Sequence, residues 1–321
     1  MKFFFIKIGL FLMPIILLAL VSDFIVTKGL QKTNCYDFKE WNELYAGKIN
    51  ANIVINGSSR AYLHISPAIL DSILLTNSYN LGVSGHNFLM QEFKFQEYLR
   101  YNKKTEIVIQ TLDLFTLNKR KDLFNFEQFL PYLYKSEVRN ITSQYEGFQI
   151  FDYFVPFYRY KNDDIIKIGV NEFFSISSFK NTFHADLDNK HKGYVGFDRE
   201  WDSTFDKFKQ NNPNGKKYEA MDSNSVELFD NFLEFCKSQN IRVVLVYTPE
   251  YIENQSLTIN RDEIFKVYND FAIKYNLTFL DYSKDTISLV KSNFYNSQHL
   301  NINGAELFTK KLASDLKNIL N

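Results

Sequence analysis

Ala51-Asn52-Ile53-Val54-Ile55-Asn56-Gly57-Ser58-Ser59-Arg60 is a short apolar run that breaks, at a glycine, into two serines. A run of this length bounded by a turn signal reads as a buried strand. The glycine permits a sharp turn, and a hydroxyl just past the carboxyl end of a strand faces the crevice in which open α/β sheets bind ligands. Ser59 is therefore the candidate nucleophile, and the rest of the chain is read outward from it.

Downstream, Pro67 to Leu75 has the pattern of a helix, Ser78 to Leu81 of a strand, Leu89 to Tyr101 of a helix and Glu106 to Leu112 of a third strand. After a long interval the alternation resumes. Val226, Phe229, Leu233 and Cys236 recur at helical spacing, and Arg242 to Tyr247 is a strand apolar on both faces. Ile264, Val267, Tyr268 and Phe271 then form a helical stripe, Leu277 to Leu280 a strand, and Leu307, Phe308, Leu312, Leu316 and Ile319 a last helix. Strands alternating with helices imply right-handed crossovers and a parallel sheet. Five of them predict an α/β fold, a flavodoxin-like three-layer α/β/α sandwich with a five-stranded parallel sheet.

The interval is too long for one βα connection and is expected to be an insertion with structure of its own. The resulting organisation is a membrane anchor over 1–27, a stalk over 28–49, the first part of the sandwich over 50–114, the insertion over 115–221 and the second part over 222–321. Aromatics cluster in the insertion, from Phe124 and Phe126 to Tyr158 and Tyr160. Flat rings suit sugar faces, but phenylalanine outnumbers tyrosine and tryptophan, which favours core packing. Gly193-Tyr194-Val195-Gly196 reads as a turn returning to the sandwich, and Asn212-Pro213-Asn214-Gly215 as a loop.

At the N-terminus Lys2 and Lys7 flank a segment, Phe3 to Val26, apolar enough to cross a bilayer if Lys7 snorkels and Asp23 lies at the far interface. A cleaved signal peptide is the competing reading; Ala19 and Ser22 are the only small residues near a suitable spacing, so an uncleaved anchor is favoured. Lys28 and Lys32 follow the segment, so charge asymmetry argues only modestly for a cytoplasmic N-terminus. Lys+Arg and Asp+Glu both number 37 of 321 residues, which gives no electrostatic footprint for nucleic acid. Two cysteines, Cys35 and Cys236, give no disulfide framework.

Two further segments bear on Ser59: Asn80-Leu81-Gly82-Val83-Ser84-Gly85-His86-Asn87 after the second strand, and Phe294-Tyr295-Asn296-Ser297-Gln298-His299-Leu300-Asn301-Ile302-Asn303-Gly304-Ala305 before the last helix. With Gly57-Ser58-Ser59-Arg60, in this order and spacing, they resemble the SGNH (GDSL-like) hydrolase superfamily. The similarity is to its membrane-anchored bacterial branch, which includes D-alanyl-lipoteichoic acid assembly proteins and alginate or peptidoglycan O-acetyltransferases. It covers roughly residues 50 to 113 and 222 to 321.

The resemblance implies an extracytoplasmic esterase or O-acyltransferase held at the cell membrane and acting on an acylated cell-envelope or exported glycan. A serine hydroxyl needs a neighbouring base, and His299 stands where the superfamily presents it. The superfamily has aspartate three residues earlier; here it is Asn296. An asparagine oxygen can hold the imidazole tautomer but supplies no charge, and the matching change costs the serine-protease template about 10⁴ in rate. Either the site works as a weakened dyad, with Asp281 or Asp285 supplying charge, or catalysis is lost and the protein binds glycan or organises an envelope assembly. The backbone N–H groups of Ser59 and Gly85 are the implied oxyanion donors. The superfamily's asparagine after strand three is replaced by Asp113, expected to be structural or to accept from substrate. Arg60 reads as an exposed ion pair or as a contact to an anionic substrate. His86 reads as a surface residue or as a second polar contact at the site. His64, His86, His184, His191 and His299 have no metal-ligand spacing, and no phosphate loop or dinucleotide fingerprint is present, so neither metal nor cofactor is expected.

Overall fold

Four residues, Ile53–Asn56, form the first strand, β1, and all four are buried, as expected of a strand covered on both faces. A computed structural model describes residues 2–35, 38–176 and 190–320. The other strands are β2 (Ser78–Asn80), β3 (Ile107–Leu112), β4 (Arg242–Tyr247) and β5 (Thr278–Asp281). They pair in parallel in the order β2-β1-β3-β4-β5, the flavodoxin-like order. In register, Ile55 lies between Asn80 and Ile109, and Tyr247 beside Leu112 and Asp281.

The sheet is covered on both faces. Ile53, Ile55, Ile109, Val244 and Val246 share one apolar cluster with Leu70 of the helix Pro67–Leu74 and with Phe308, Leu312 and Leu316 of the helix Ile302–Leu320. The helices Phe88–Tyr101, Ser223–Ser238 and Arg261–Tyr275 form the other layer, where Phe88, Phe95, Phe229 and Phe232 meet largely edge to face, Phe88 and Phe229 at 4.7 Å. This is the predicted three-layer sandwich.

The chain divides into two compact units, one of residues 1–43 and 121–185, the other of 44–120 and 186–321. The boundaries differ from those read in sequence. The insertion was read over 115–221, and of this the described residues from 190 onward group with the sheet unit. The Asn80 N–H donates to the Lys192 carbonyl at 2.9 Å, so this segment covers the free edge of β2. Val195 N–H donates to the Tyr62 carbonyl, Asp202 N–H to that of Tyr295, and Ile302 N–H to that of Phe197. At Gly193, φ is +78° and a Cβ would lie 1.8 Å from the Asn80 carbonyl oxygen, which explains the glycine in this predicted turn.

In the other unit a helix, Lys2–Leu30, runs through the expected anchor and into the expected stalk. It is long and apolar enough to cross a membrane. Its final turns pack on the helix Asp163–Phe174, where Gly29 approaches so closely that a Cβ would lie 1.6 Å from the Gly169 carbonyl oxygen. Core packing accounts for only part of the aromatic cluster. Phe129, Tyr132, Tyr145 and Tyr160 are buried, but Phe124, Phe126, Tyr134, Phe151, Phe154 and Tyr158 are exposed. His184 lies outside the described residues.

Candidate active site

Gly57 ends β1 with φ at +152°, and a Cβ there would lie 1.9 Å from Thr111 Oγ1 on neighbouring β3. Only glycine passes this point without strain. Ser58 then caps the short helix Ser59–His64, its hydroxyl accepting from the Arg60 N–H at 3.2 Å. The carboxyl ends of β1 and β3 flank the place where strand order reverses, so Ser59 stands at the sheet's topological switch point. Asn80, at the end of β2, holds the far end of the helix. Its amide donates to the carbonyls of Ala61 and Ile65 at 2.7 and 3.0 Å and its oxygen accepts from Gly82 N–H at 2.9 Å.

Ser59 is 8% exposed, and its Oγ lies 2.8 Å from His299 Nε2, a residue 240 positions further along the chain. Asn296 fixes the proton arrangement. Its Oδ1 lies 3.0 and 2.9 Å from the N–H groups of Gln298 and His299, and since both can only donate, that atom is an oxygen. The same oxygen lies 3.1 Å from His299 Nδ1, which must therefore carry the ring proton. Nε2 is left with a lone pair toward the Ser59 hydroxyl, the tautomer a general base requires. The Tyr295 ring lies parallel to the imidazole, at 8° and 5.5 Å between centroids.

Burial, with the nearby Arg60 charge, lowers the His299 pKa to about 4, so the imidazole is neutral at pH 7. Asp202, rather than Asp281 or Asp285, is the carboxylate whose charge opposes this lowering. Asp281 accepts from Ser283 N–H, and Asp285 caps a turn at Ile287 and pairs with Lys311.

Arg60 is not the exposed cation read in sequence. It is 4% exposed, its Nη1 lies 3.2 Å from Asp113 Oδ1, and its guanidinium stacks over the Tyr247 ring at 4.3 Å. Nε donates to Thr248 Oγ1 at 3.0 Å and Nη2 to the Thr248 carbonyl. Asp113, 1% exposed, also accepts from the Ser58 hydroxyl. Both side chains are thus engaged within the protein, which agrees with the structural alternative read for Asp113 and the ion pair read for Arg60, here buried. Burial pushes the Asp113 pKa up against the opposing pull of Arg60. Behind them, Glu250 accepts from Tyr247 Oη, Arg261 and Asn254 at 2.7, 2.6 and 2.9 Å. Burial would raise its pKa, but the charges of Arg60 and Arg261 prevail and hold it below the usual range.

Sequence reasoning missed His64, weighed there only as a metal ligand. It is fully buried; Nε2 accepts from the Leu300 N–H at 3.0 Å and Nδ1 donates to Thr248 Oγ1 at 2.8 Å. Burial, together with Arg60 and His299, pushes its pKa well down. His64 thereby joins the helix that carries Ser59 to the loop that carries His299, and Thr248 holds both His64 and Arg60 of that helix. The available signal was Thr248-Pro249-Glu250, a polar break directly after an apolar strand. Gly85 lies in a half-buried turn with φ at +74°, which requires glycine whatever its N–H does. His86, read as a surface residue, is fully buried, and its carbonyl accepts from the Gln91 amide at 2.9 Å.

No protein-family model and no curated protein matches the chain. Among solved structures it is similar to the crystal structure of a "putative acylhydrolase" from Bacteroides fragilis, at 11% identity and a TM-score of 0.36, covering 83% of this chain and 87% of that one. A likeness this distant says nothing about chemistry, which rests on the geometry above.

Proposed function

We propose that the protein is a membrane-anchored serine esterase or O-acyltransferase of the SGNH type that acts outside the cytoplasm on acyl groups of a cell-envelope or exported polysaccharide. The observation that supports it is the 2.8 Å contact between Ser59 Oγ and His299 Nε2, with Asn296 holding the opposite ring nitrogen. Ser59 attacks the acyl carbonyl while its proton passes to Nε2. The tetrahedral oxyanion is held by the N–H groups of Ser59 and Gly85, and His299 returns the proton to the leaving oxygen. Water or a sugar hydroxyl then takes the acyl group from the serine.

The test is labelling of the full-length protein by a fluorophosphonate and turnover of nitrophenyl acetate, both lost in Ser59→Ala. No labelling and no turnover by the unmodified protein would sink this reading. Asn296, in place of a carboxylate, favours a second one, a protein that keeps the cleft to bind glycan or organise an envelope assembly. In that case cells carrying Ser59→Ala keep their phenotype, whereas removal of the insertion abolishes it.

A further inference from the structure

Helix Lys2–Leu30 changes character at Asp23. From Phe3 to Val21 its side chains are almost continuously exposed and apolar, and at 1.5 Å per residue this stretch spans about 28 Å, close to the thickness of a bilayer's hydrocarbon core. Beyond it the helix is held by its own unit. Asp23 accepts from Arg159 at 2.8 Å and from the Phe157 N–H at 2.7 Å, Thr27 Oγ1 lies 2.6 Å from Tyr160 Oη, and Val26, Gly29 and Leu30 are buried. Residues 157–160 are thus pinned to the helix where its exposed apolar surface ends.

Directly before that point the short helix Ile150–Phe154 and the residues after it turn large apolar side chains outward. Phe151 is 55% and Phe154 65% exposed, and Ile150, Val155 and Tyr158 are exposed beside them in sequence. Exposed Phe24, one residue beyond Asp23, meets Phe173 edge to face at 6.0 Å, and Phe174 and Ile176 follow, also exposed. Cations accompany these rings: Arg139 over Phe154 at 5.7 Å, Lys161 over Tyr158 at 4.8 Å and Lys32 over Phe173 at 5.5 Å. So many large apolar side chains left in water call for an apolar partner, and aromatic rings interleaved with cations suit the boundary between acyl chains and anionic headgroups.

We infer that this face, centred on Phe151, Phe154 and Tyr158, lies in the headgroup layer of the same membrane that the N-terminal helix crosses, with anionic phospholipid as its partner. The inference rests on that helix spanning the bilayer. The membrane contact then has two parts, a spanning helix and an interfacial aromatic face. The unit of residues 1–43 and 121–185 is held at a fixed depth, because Asp23 ties the two parts together.

The full-length protein, with Cys35→Ser and with Cys236 left buried, would carry an environment-sensitive nitrobenzoxadiazole label at Phe154→Cys or, separately, at Leu12→Cys. It would be reconstituted in phosphatidylcholine–phosphatidylglycerol vesicles bearing nitroxides either near the headgroup or deep in the chains. The label at 154 is expected to lose most of its fluorescence to the shallow nitroxide and less to the deep one, and the label at 12 the reverse. A label at Phe151→Cys should repeat the result at 154. Quenching at 12 with none at 154 would overturn the inference while leaving the spanning helix standing; blue-shifted, unquenched emission at 154 would then assign the face to a second copy or another protein. No quenching at either position would remove both. Omission of phosphatidylglycerol is expected to weaken quenching at 154 and not at 12, and equal quenching at 154 would overturn the anionic preference.

Discussion

The side-chain oxygen of Asn296 accepts from His299 twice, from its backbone N–H at 2.9 Å and from ring Nδ1 at 3.1 Å. Orientation of the imidazole therefore survives without a carboxylate, while charge support does not. Asn296→Asp can make the same contacts and adds a negative charge beside Nδ1–H. The His299 pKa should rise from about 4, and esterase turnover at neutral pH should rise about tenfold or more. The acid limb of the rate profile should move to higher pH with it. Asn296→Ala should lose turnover, because the ring is then free to rotate. Turnover of all three forms across the pH range in which histidine titrates decides the matter, and no response to either substitution would remove Asn296 from the site.

Arg60 and Asp113 make a second prediction. Removing one partner of a buried pair leaves an uncompensated charge, so Arg60→Met should destabilise the fold by about 3–5 kcal/mol. Arg60→Met with Asp113→Asn should cost clearly less than the sum of the two single changes, as measured by denaturant unfolding. Loss of the guanidinium should also raise the His299 pKa, since its charge is one of the causes of the lowering. If Arg60 instead bound an anionic substrate, KM would rise with little change in stability.

The sheet was legible because each strand is a short apolar run ending at a polar break, and the order of runs and helical stripes left one economical topology. The pairing of Ser59 with His299 was legible because Ser59 follows the carboxyl end of a strand and the resemblance singled out His299 in the loop before the last helix. Arg60 was not. Whether a guanidinium is buried depends on what faces it, and Asp113, Tyr247 and Thr248 come from distant strands. The return of the chain to the sheet was signalled only by the turn at Gly193-Tyr194-Val195-Gly196. Residues 190–202 join the sheet unit through backbone hydrogen bonds around Asn80, Tyr62 and Tyr295, which leave no periodic trace.

Gly57 is held to glycine by two separate constraints, a φ of +152° and the 1.9 Å approach of a Cβ to Thr111 Oγ1. Gly57→Ala should lower stability by roughly 2–3 kcal/mol and abolish turnover, because Ser59 follows two residues later. Thr111→Ala removes the nearest clashing atom but not the conformational penalty, so the double variant should recover only part of the loss. Full recovery, in unfolding midpoint and in rate, would mean that the clash alone dictates the residue.

Two histidines near the serine, His64 fully buried and His299 half-buried, shape how the fold responds to acid. An unfolded chain protonates histidine near pH 6.5, whereas burial and the Arg60 charge lower His299 to about 4 in the folded protein and place His64 well below its usual value. Between these limits the unfolded state binds more protons, so stability is full above about pH 6.5 and is lost as pH falls toward 4. Asp113, raised by burial, acts in the opposite sense, so the wild-type slope alone does not isolate the histidines. His64→Gln does isolate one of them. Glutamine keeps one donor and one acceptor for Thr248 and Leu300 but does not titrate. The variant should be less stable at pH 7, and its slope of unfolding free energy against pH between 6 and 5 should fall by up to about 1.4 kcal/mol per pH unit. Denaturant unfolding of both forms at several pH values measures this. Equal slopes would mean that His64 titrates normally in the folded protein, which would contradict its acceptance of the Leu300 N–H.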